Sequence, residues 1–215
     1  MNKLILILTI MPMIGFASDV NEIIGNIKKN LFIDSFCLKG KIILKADNSK
    51  IISTNPIEIN YNLNNEKPNI TYFINEQFLK IEFDKHNPIY EFSDASIKKS
   101  DEIFNTRMTW DDLCLSYLWW SNPKIMREEK KINRQCWVIK ITSPDSSNEV
   151  LAWIDKETFF PLESQIIKNN LKTKTSRIKR LKKVRDTWLP KLFEILHHDN
   201  NERSQLWINE FLIND

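Results

Sequence analysis

From Phe36 to Ile213, apolar residues return at every second position in short runs, and brief polar segments separate the runs. Phe36, Leu38, Gly40, Ile42, Leu44 and Ala46 fall on one side of the first run, with Lys39, Lys41 and Lys45 on the other. A period of two is that of a strand with one buried and one solvated face. Ile57, Ile59, Tyr61 and Leu63 repeat the pattern against Glu58, Asn60 and Asn62, and shorter runs follow at 70–74, 78–83 and 89–92. After an interruption, runs resume at 124–132, 136–141, 150–154, 161–167, 173–184, 188–197 and 203–213. Asp47-Asn48-Ser49, Asn75-Glu76-Gln77, Asp155 to Thr158, Asn169-Asn170 and Asp199-Asn200-Asn201 are turn sequences of hairpin length. Such turns connect antiparallel strands, whereas parallel strands need long crossovers. The pattern therefore predicts one antiparallel meander of about ten strands, and an open sheet of that width must curl.

Two segments break the period. Val20, Ile23, Ile24, Ile27 and Leu31 recur at helical spacing after Asp19, which predicts an amphipathic helix ahead of the first strand. In the interruption, Ser96 to Asn105 reads as a helical turn leading into Thr109–Trp120. Thr109 caps that second helix, and Asp111 and Asp112 occupy its first turn, where negative charge is favoured. Trp110, Leu113, Cys114, Tyr117 and Leu118 form one face, while Leu115 and Trp119 lie off it, so the helix is apolar almost all round. Ser121-Asn122-Pro123 stops it. A short helix with no polar side must be surrounded or must close over something apolar.

The N-terminal residues belong to no such pattern. Lys3, the apolar run Leu4 to Ile14 and Gly15-Phe16-Ala17 read as a cleavable export signal over 1–17, leaving one domain over 18–215. The run is too short to span a bilayer as a mature helix. No cysteine follows it, so attachment of a lipid to a new N-terminal cysteine is not expected. An exported chain can form disulfides. Of the three cysteines, Cys114 and Cys136 form a possible pair; buried thiols acting as small hydrophobes are the alternative, and Cys37 has no assigned role.

Catalytic patterns are not found. The sequence holds no Gly-x-Ser-x-Gly, His-Glu-x-x-His, phosphate loop or Gly-x-Gly-x-x-Gly, and no enzyme, cofactor or metal is expected. His197 and His198 are adjacent, so on a strand they face opposite sides; His86 stands in a turn. Net charge is only +3 and gives no reason to invoke nucleic acid. The basic run Lys172–Lys183 keeps its apolar parity and reads as the outer face of a strand, with a membrane or partner contact left open. The seven tryptophans say more. Trp110, Trp119 and Trp120 gather on or just after the central helix; Trp137, Trp153, Trp188 and Trp207 sit in separate strands. Bulky side chains on a curled sheet beneath an apolar helix fit a lined cavity for an apolar ligand.

Four stretches, in this order, resemble the LolA-like family of periplasmic lipoprotein-sorting proteins, in its looser, exporter-associated branch. They are Thr109-Trp110-Asp111-Asp112-Leu113 to Tyr117-Leu118-Trp119-Trp120, Cys136-Trp137-Val138-Ile139, Trp153-Ile154-Asp155-Lys156-Glu157-Thr158 with Pro161-Leu162, and Trp188-Leu189-Pro190. The resemblance implies a mainly β fold with some α, a half-closed antiparallel β-barrel whose concave face helices cover. It implies a monomeric periplasmic carrier, not itself a lipoprotein, that binds acyl chains of a lipoprotein or lipid. The carrier would take cargo from an inner-membrane exporter of ABC or RND type towards an outer-membrane acceptor, as part of outer membrane biogenesis. On this reading the cavity and its lid comprise Trp110, Leu113, Leu115, Tyr117, Leu118, Trp119, Trp120, Trp137 and Trp153. The alternative is a periplasmic protein-interaction or sensor module of the same fold, its cavity filled by its own side chains. The two differ in whether Thr109–Trp120 can leave the concave face.

Overall fold

The computed structural model describes residues 19–30, 35–62, 68–84, 87–184 and 187–213. The expected export signal over 1–17, Leu31, Leu63 and His86 lie outside the described residues. The helix α1 (Val20–Asn30) is followed by β1 (Phe36–Lys45), β2 (Ile51–Asn62), β3 (Asn69–Ile74), β4 (Gln77–Asp84) and β5 (Asn87–Phe92). A short helix α2 (Trp110–Leu113) and a 3₁₀ turn (Ser116–Trp119) interrupt the strands. Then come β6 (Lys124–Lys131), β7 (Arg134–Thr142), β8 (Asn148–Asp155), β9 (Pro161–Lys168), β10 (Leu171–Val184), β11 (Thr187–His197) and β12 (Arg203–Ile213).

The described strands form one curved, open antiparallel sheet of twelve, in the order β5-β4-β3-β2-β1-β12-β11-β10-β9-β8-β7-β6. Its twelve strands match the runs of the sequence one for one, and the sheet is slightly wider than the expected meander of about ten. Every neighbour is also a neighbour in sequence except one: β1 pairs β12, from Phe36↔Ile213 to Lys45↔Arg203. That pairing places β5 and β6, which are consecutive in the chain, at the two opposite edges. The segment 93–123 must therefore travel from one edge to the other, and it does so across the concave face. Its position follows from topology.

Close approach at the β1–β12 seam depends on Gly40. The register shifts between Lys39 and Gly40, and a Cβ at Gly40 would stand 2.0 Å from the Trp207 carbonyl oxygen. Any other residue would have to push the strands apart.

Two apolar clusters fill the concave side. The larger draws on β1–β4 and β10–β12 and receives Ile103, Met108, Trp110, Leu113 and Cys114 from the crossing segment. The smaller lies on β7–β9, where Ile23, Ile24 and Ile27 of α1 meet Tyr117, Leu118, Trp137, Ile139 and Ile141. The expected stripe of α1 is thus the face it buries, and the Asp19 carboxylate accepts the Asn21 N–H at its start. A third cluster, Cys136, Val138, Trp153 and Leu162, lies on the outer face of the sheet. Alternation puts Cys136 and Val138 on the opposite side of β7 from Trp137 and Ile139.

Candidate functional site: a lidded apolar chamber

The crossing segment is not the single helix its periodicity predicts. It forms one turn of α2, then breaks at Leu115, which adopts φ 50° and ψ 45°, and continues as the 3₁₀ turn. A left-handed conformation costs a residue with a bulky Cβ roughly 1–2 kcal/mol. The break serves packing: α2 faces the larger cluster and the 3₁₀ turn the smaller one, with Leu115 touching both. Ser96 to Asn105 forms turns and bends, with Glu102 bridged to Thr109, and contains no helical turn.

Upstream of α2 the segment is pinned. The Asn55 side-chain amide donates to the Phe104 carbonyl and the Ser53 hydroxyl to that of Asn105. The Ser204 hydroxyl donates to the Thr106 carbonyl, and Arg107 pairs with Asp199 and with Glu202 at 3.3 Å. Ser204 spends its proton on Thr106, so it accepts from His197 Nε2–H at 2.8 Å, and that contact fixes the imidazole tautomer. Burial, with Lys174 and Arg107 nearby, pushes the His197 pKa down to about 4. His198 points to the other face, against Thr175, as the adjacency of the two histidines requires.

From Thr109 onward the polar hold is narrower. Asp112 closes a capping box with Thr109: its Oδ2 accepts from Thr109 N (2.9 Å) and Oγ1 (2.8 Å), and its own N–H donates to that hydroxyl. The same Oδ2 receives Lys174 Nζ of β10 at 2.6 Å. Among the described residues this is the ion pair that ties α2 to the sheet across the concave face. Asp112, the bland first-turn acid of the sequence, is thus also a latch, and Lys174 is a member of the basic run.

Beneath this lid is an apolar chamber of about 100 Å³. Phe36, Leu38, Ile59, Tyr61, Ile70, Tyr72, Ile81 and Phe83 line one wall, and Ile178, Leu189, Phe193, Leu206 and Ile208 the other. The lid supplies Leu113, Cys114, Leu115, Tyr117 and Trp119, and Trp188, 39% exposed, stands at the wall. Burial pushes the Tyr61 and Tyr117 phenols up to about 12 and raises that of Tyr72 well above its ordinary value, so the tyrosines here stay neutral at physiological pH. Arg177 also borders the chamber, but its Nε is bonded to Glu163 at 2.8 Å. The chamber offers apolar surface and no free charge.

The expected site residues divide. Leu113, Leu115, Tyr117 and Trp119 come together in the chamber wall. Trp110 is fully buried in the core, edge-on to Phe92, and acts as an anchor for the segment. Leu118, Trp120 and Trp137 belong to the second cluster, outside the chamber, with Trp137 stacked near Phe159. Trp153 is on the outer face, beneath Lys131 at 4.7 Å, because Val138, not Trp137, is its partner on β7. The possible Cys114–Cys136 bridge is not formed: both thiols are free, one inside the sheet and one outside. Sequence reasoning missed the aromatic wall of Phe36, Tyr61, Tyr72 and Phe83, although all four follow the period-two pattern. No group of His, Cys, Asp and Glu among the described residues is placed to hold a metal.

The profile of a family described as "Uncharacterized protein" matches residues 93–215, which include the lid and every strand from β6 to β12. The chain belongs to that family, and its fold is LolA-like. A LolA superfamily protein from Nitrosomonas europaea superposes with a TM-score of 0.65 at 17% identity, over 91% of this chain and 93% of that one. A domain from Vibrio parahaemolyticus assigned to outer membrane lipoprotein sorting gives 0.67 at 13%, over 88% and 90%. A DUF1329 family protein from Desulfovibrio piger gives 0.71 at 8%, over 90% and 91%. No curated protein sequence matches the chain. In this LolA-like fold the open edges, the crossing segment and the chamber belong to one architecture.

Proposed function

We propose that the protein is a periplasmic carrier that takes up acyl chains of a lipoprotein or lipid beneath the lid and releases them to an acceptor at the outer membrane. The observation that carries this reading is the chamber itself: lined mainly by apolar side chains and roofed by α2, which the Asp112–Lys174 ion pair ties to the sheet. Its closed volume of about 100 Å³ is smaller than the ~150 Å³ cavity that holds one benzene. A fatty-acyl chain therefore enters only if Leu115 and Trp119 leave. Burial gains about 0.8 kcal/mol per methylene, so a long chain offers more than enough to offset exposure of those two side chains. No bond need be made or broken. An inner-membrane exporter of ABC or RND type would load the carrier, which would work as a monomer without a cofactor, and residues 1–17 would direct its export.

The small closed volume also suits a protein-interaction module of the same fold, whose lid never opens. Titration of the mature protein with cis-parinaric acid, followed by hydrogen exchange, separates the two. Carriage predicts saturable 1:1 binding and faster exchange at Leu113 and Cys114 in the complex. An interaction module would neither bind the probe nor loosen its lid.

A further inference from the structure

A second cavity, of about 350 Å³, lies on the other side of the lid, between it and β8–β10. Its size is that of a ligand pocket, and Leu115, Tyr117, Ser164 and Ser176 border both it and the chamber. Most polar groups on its wall are already spent within the protein. Asp111 pairs with Lys99 at 4.0 Å and Asp112 with Lys174 at 2.6 Å, so each carboxylate here has its cation. Asp112 holds the Thr109 hydroxyl, and that of Thr173 donates to the Ile166 carbonyl. Ser176 bonds to Ser164, and the Asn148 amide donates to Ser147. The groups that remain are of one kind. Lys168 stands opposite Asn148 at the end of β9, on the parity of Ser164 and Ile166, which puts it on the concave face. Among the described residues it has no ion pair. Ser116 is only 5% exposed and borders the cavity, yet its hydroxyl bonds to no described residue. The indole N–H of Trp120, at the same cavity, is likewise without a partner among them. A buried hydroxyl left unpaired is costly unless something else meets it. An ammonium, a hydroxyl and an indole N–H all donate, and the one uncompensated charge among them is positive.

We propose that this cavity receives the headgroup of the cargo, and that the headgroup is an anion, a carboxylate or a phosphate. The inference rests on the carrier reading, which it extends from the acyl chain to the whole amphiphile. Lys168 supplies the counter-charge, and the Ser116 hydroxyl and Trp120 N–H donate to the anion's oxygens. Once Leu115 leaves, as entry of a chain requires, the partition opens. One molecule then lays its tail against Phe36 and Tyr72 and its head against Lys168. An exposed lysine pairs weakly by itself, so the buried Ser116 donor is what makes this more than a surface charge. Because Lys168 is exposed, salt weakens the contact to the head and leaves burial of the tail intact.

The test uses ligands with one tail and three heads, below their micelle concentrations: dodecyl phosphate, n-dodecyl β-D-glucoside and dodecyltrimethylammonium. Binding is measured calorimetrically at low salt to the wild type, Lys168→Gln, Ser116→Ala and Lys172→Gln, with inorganic phosphate as a further ligand. Lys172 is the control: it removes the same charge from the outer face, beside His198. The expected result is a phosphate-head affinity at least fivefold above the other two heads. That advantage should fall several-fold in Lys168→Gln and in Ser116→Ala and survive in Lys172→Gln, while glucoside binding and thermal midpoint stay unchanged. Equal affinity for all three heads, or an advantage that persists in Lys168→Gln, overturns the anion assignment and leaves carriage standing. Equal losses in Lys168→Gln and Lys172→Gln also overturn it, by reducing the effect to overall charge. Inorganic phosphate binding as tightly as dodecyl phosphate overturns the headgroup assignment, by making the cavity a free-ion site independent of the tail. Failure of all three dodecyl ligands to bind overturns the carrier reading and this inference with it.

Discussion

Replacing Lys174 by Met removes the latch while keeping the length of the side chain. In the closed lid the Asp112 carboxylate is 5% exposed and Lys174 24% exposed, with 2.6 Å between Nζ and Oδ2. Stripping one partner from a fully buried pair costs about 3–5 kcal/mol, chiefly because the other charge is left uncompensated. Here Lys174 keeps some water contact and Thr109 still donates twice to Asp112, so a loss of about 2 kcal/mol is reasonable. With the lid open, water solvates the carboxylate and the substitution costs little. The whole difference therefore weakens closure. At 1.4 kcal/mol per factor of ten, the open population rises roughly 30-fold. The reporters are the amides of Leu113 and Cys114, which bond to the Thr109 and Trp110 carbonyls at 3.1 and 3.0 Å. Their hydrogen exchange should accelerate about 30-fold in Lys174→Met, with no comparable change at the β1–β12 seam, and acyl-probe uptake should quicken. Asp112→Asn in the Lys174→Met background should restore much of the lost protection, because a neutral amide is cheaper to bury. Unchanged exchange at Leu113 and Cys114, or acceleration shared equally with β1 and β12, would refute the assignment of a latch.

Three other perturbations test the account of the fold. Gly40→Ala should cost more than about 3 kcal/mol or prevent folding, since its Cβ meets the Trp207 oxygen, whereas Gly25→Ala in α1 meets nothing and should stabilise by about 0.5–1 kcal/mol; chemical denaturation measures both. His197 is held neutral, with a folded pKa of about 4 against about 6.5 unfolded, so the unfolded chain binds the extra proton. Stability from this site is thus complete above pH 6.5 and declines as pH falls towards 4, by up to about 3 kcal/mol; His197→Gln should flatten that part of the pH–stability curve, and an unchanged slope would count against it. Lys174, Arg107, Asp112 and Asp199 are the charges that act on this imidazole. Finally, burial raises the thiol pKa of Cys37 and Cys114 and pushes that of Cys136 up to about 11, so iodoacetamide should label the native protein slowly and the unfolded protein at all three thiols. A mass that rises on reduction would reveal a bridge the fold does not contain.

Much of this architecture is legible in the sequence because hairpins are local. The turn residues and the parity of Phe36 to Leu44, or Ile57 to Tyr61, are sufficient to place strands and to say which face is buried. The β1–β12 pairing has no such signature, since its strands are separated by nearly the whole chain, yet it decides that 93–123 must cross the open side. The break at Leu115 is hidden for a different reason. Leucine favours helix, and only two clusters on a curved sheet force it to left-handed φ. Trp153 could have been placed correctly: Val150, Ala152 and Ile154 share one parity, which leaves Trp153 on the opposite face, with Cys136 and Val138. Asp112 and Lys174 are far apart in the chain, and nothing in either local context names the other.

Native mass spectrometry of the mature protein recovered from a periplasm, before and after organic extraction, bears most directly on the claim of acyl carriage. Carriage predicts a bound acylated species of defined mass that leaves on extraction, and an extracted protein that takes up an acyl probe. A clean protein mass before extraction, with no uptake of added probe, would contradict it.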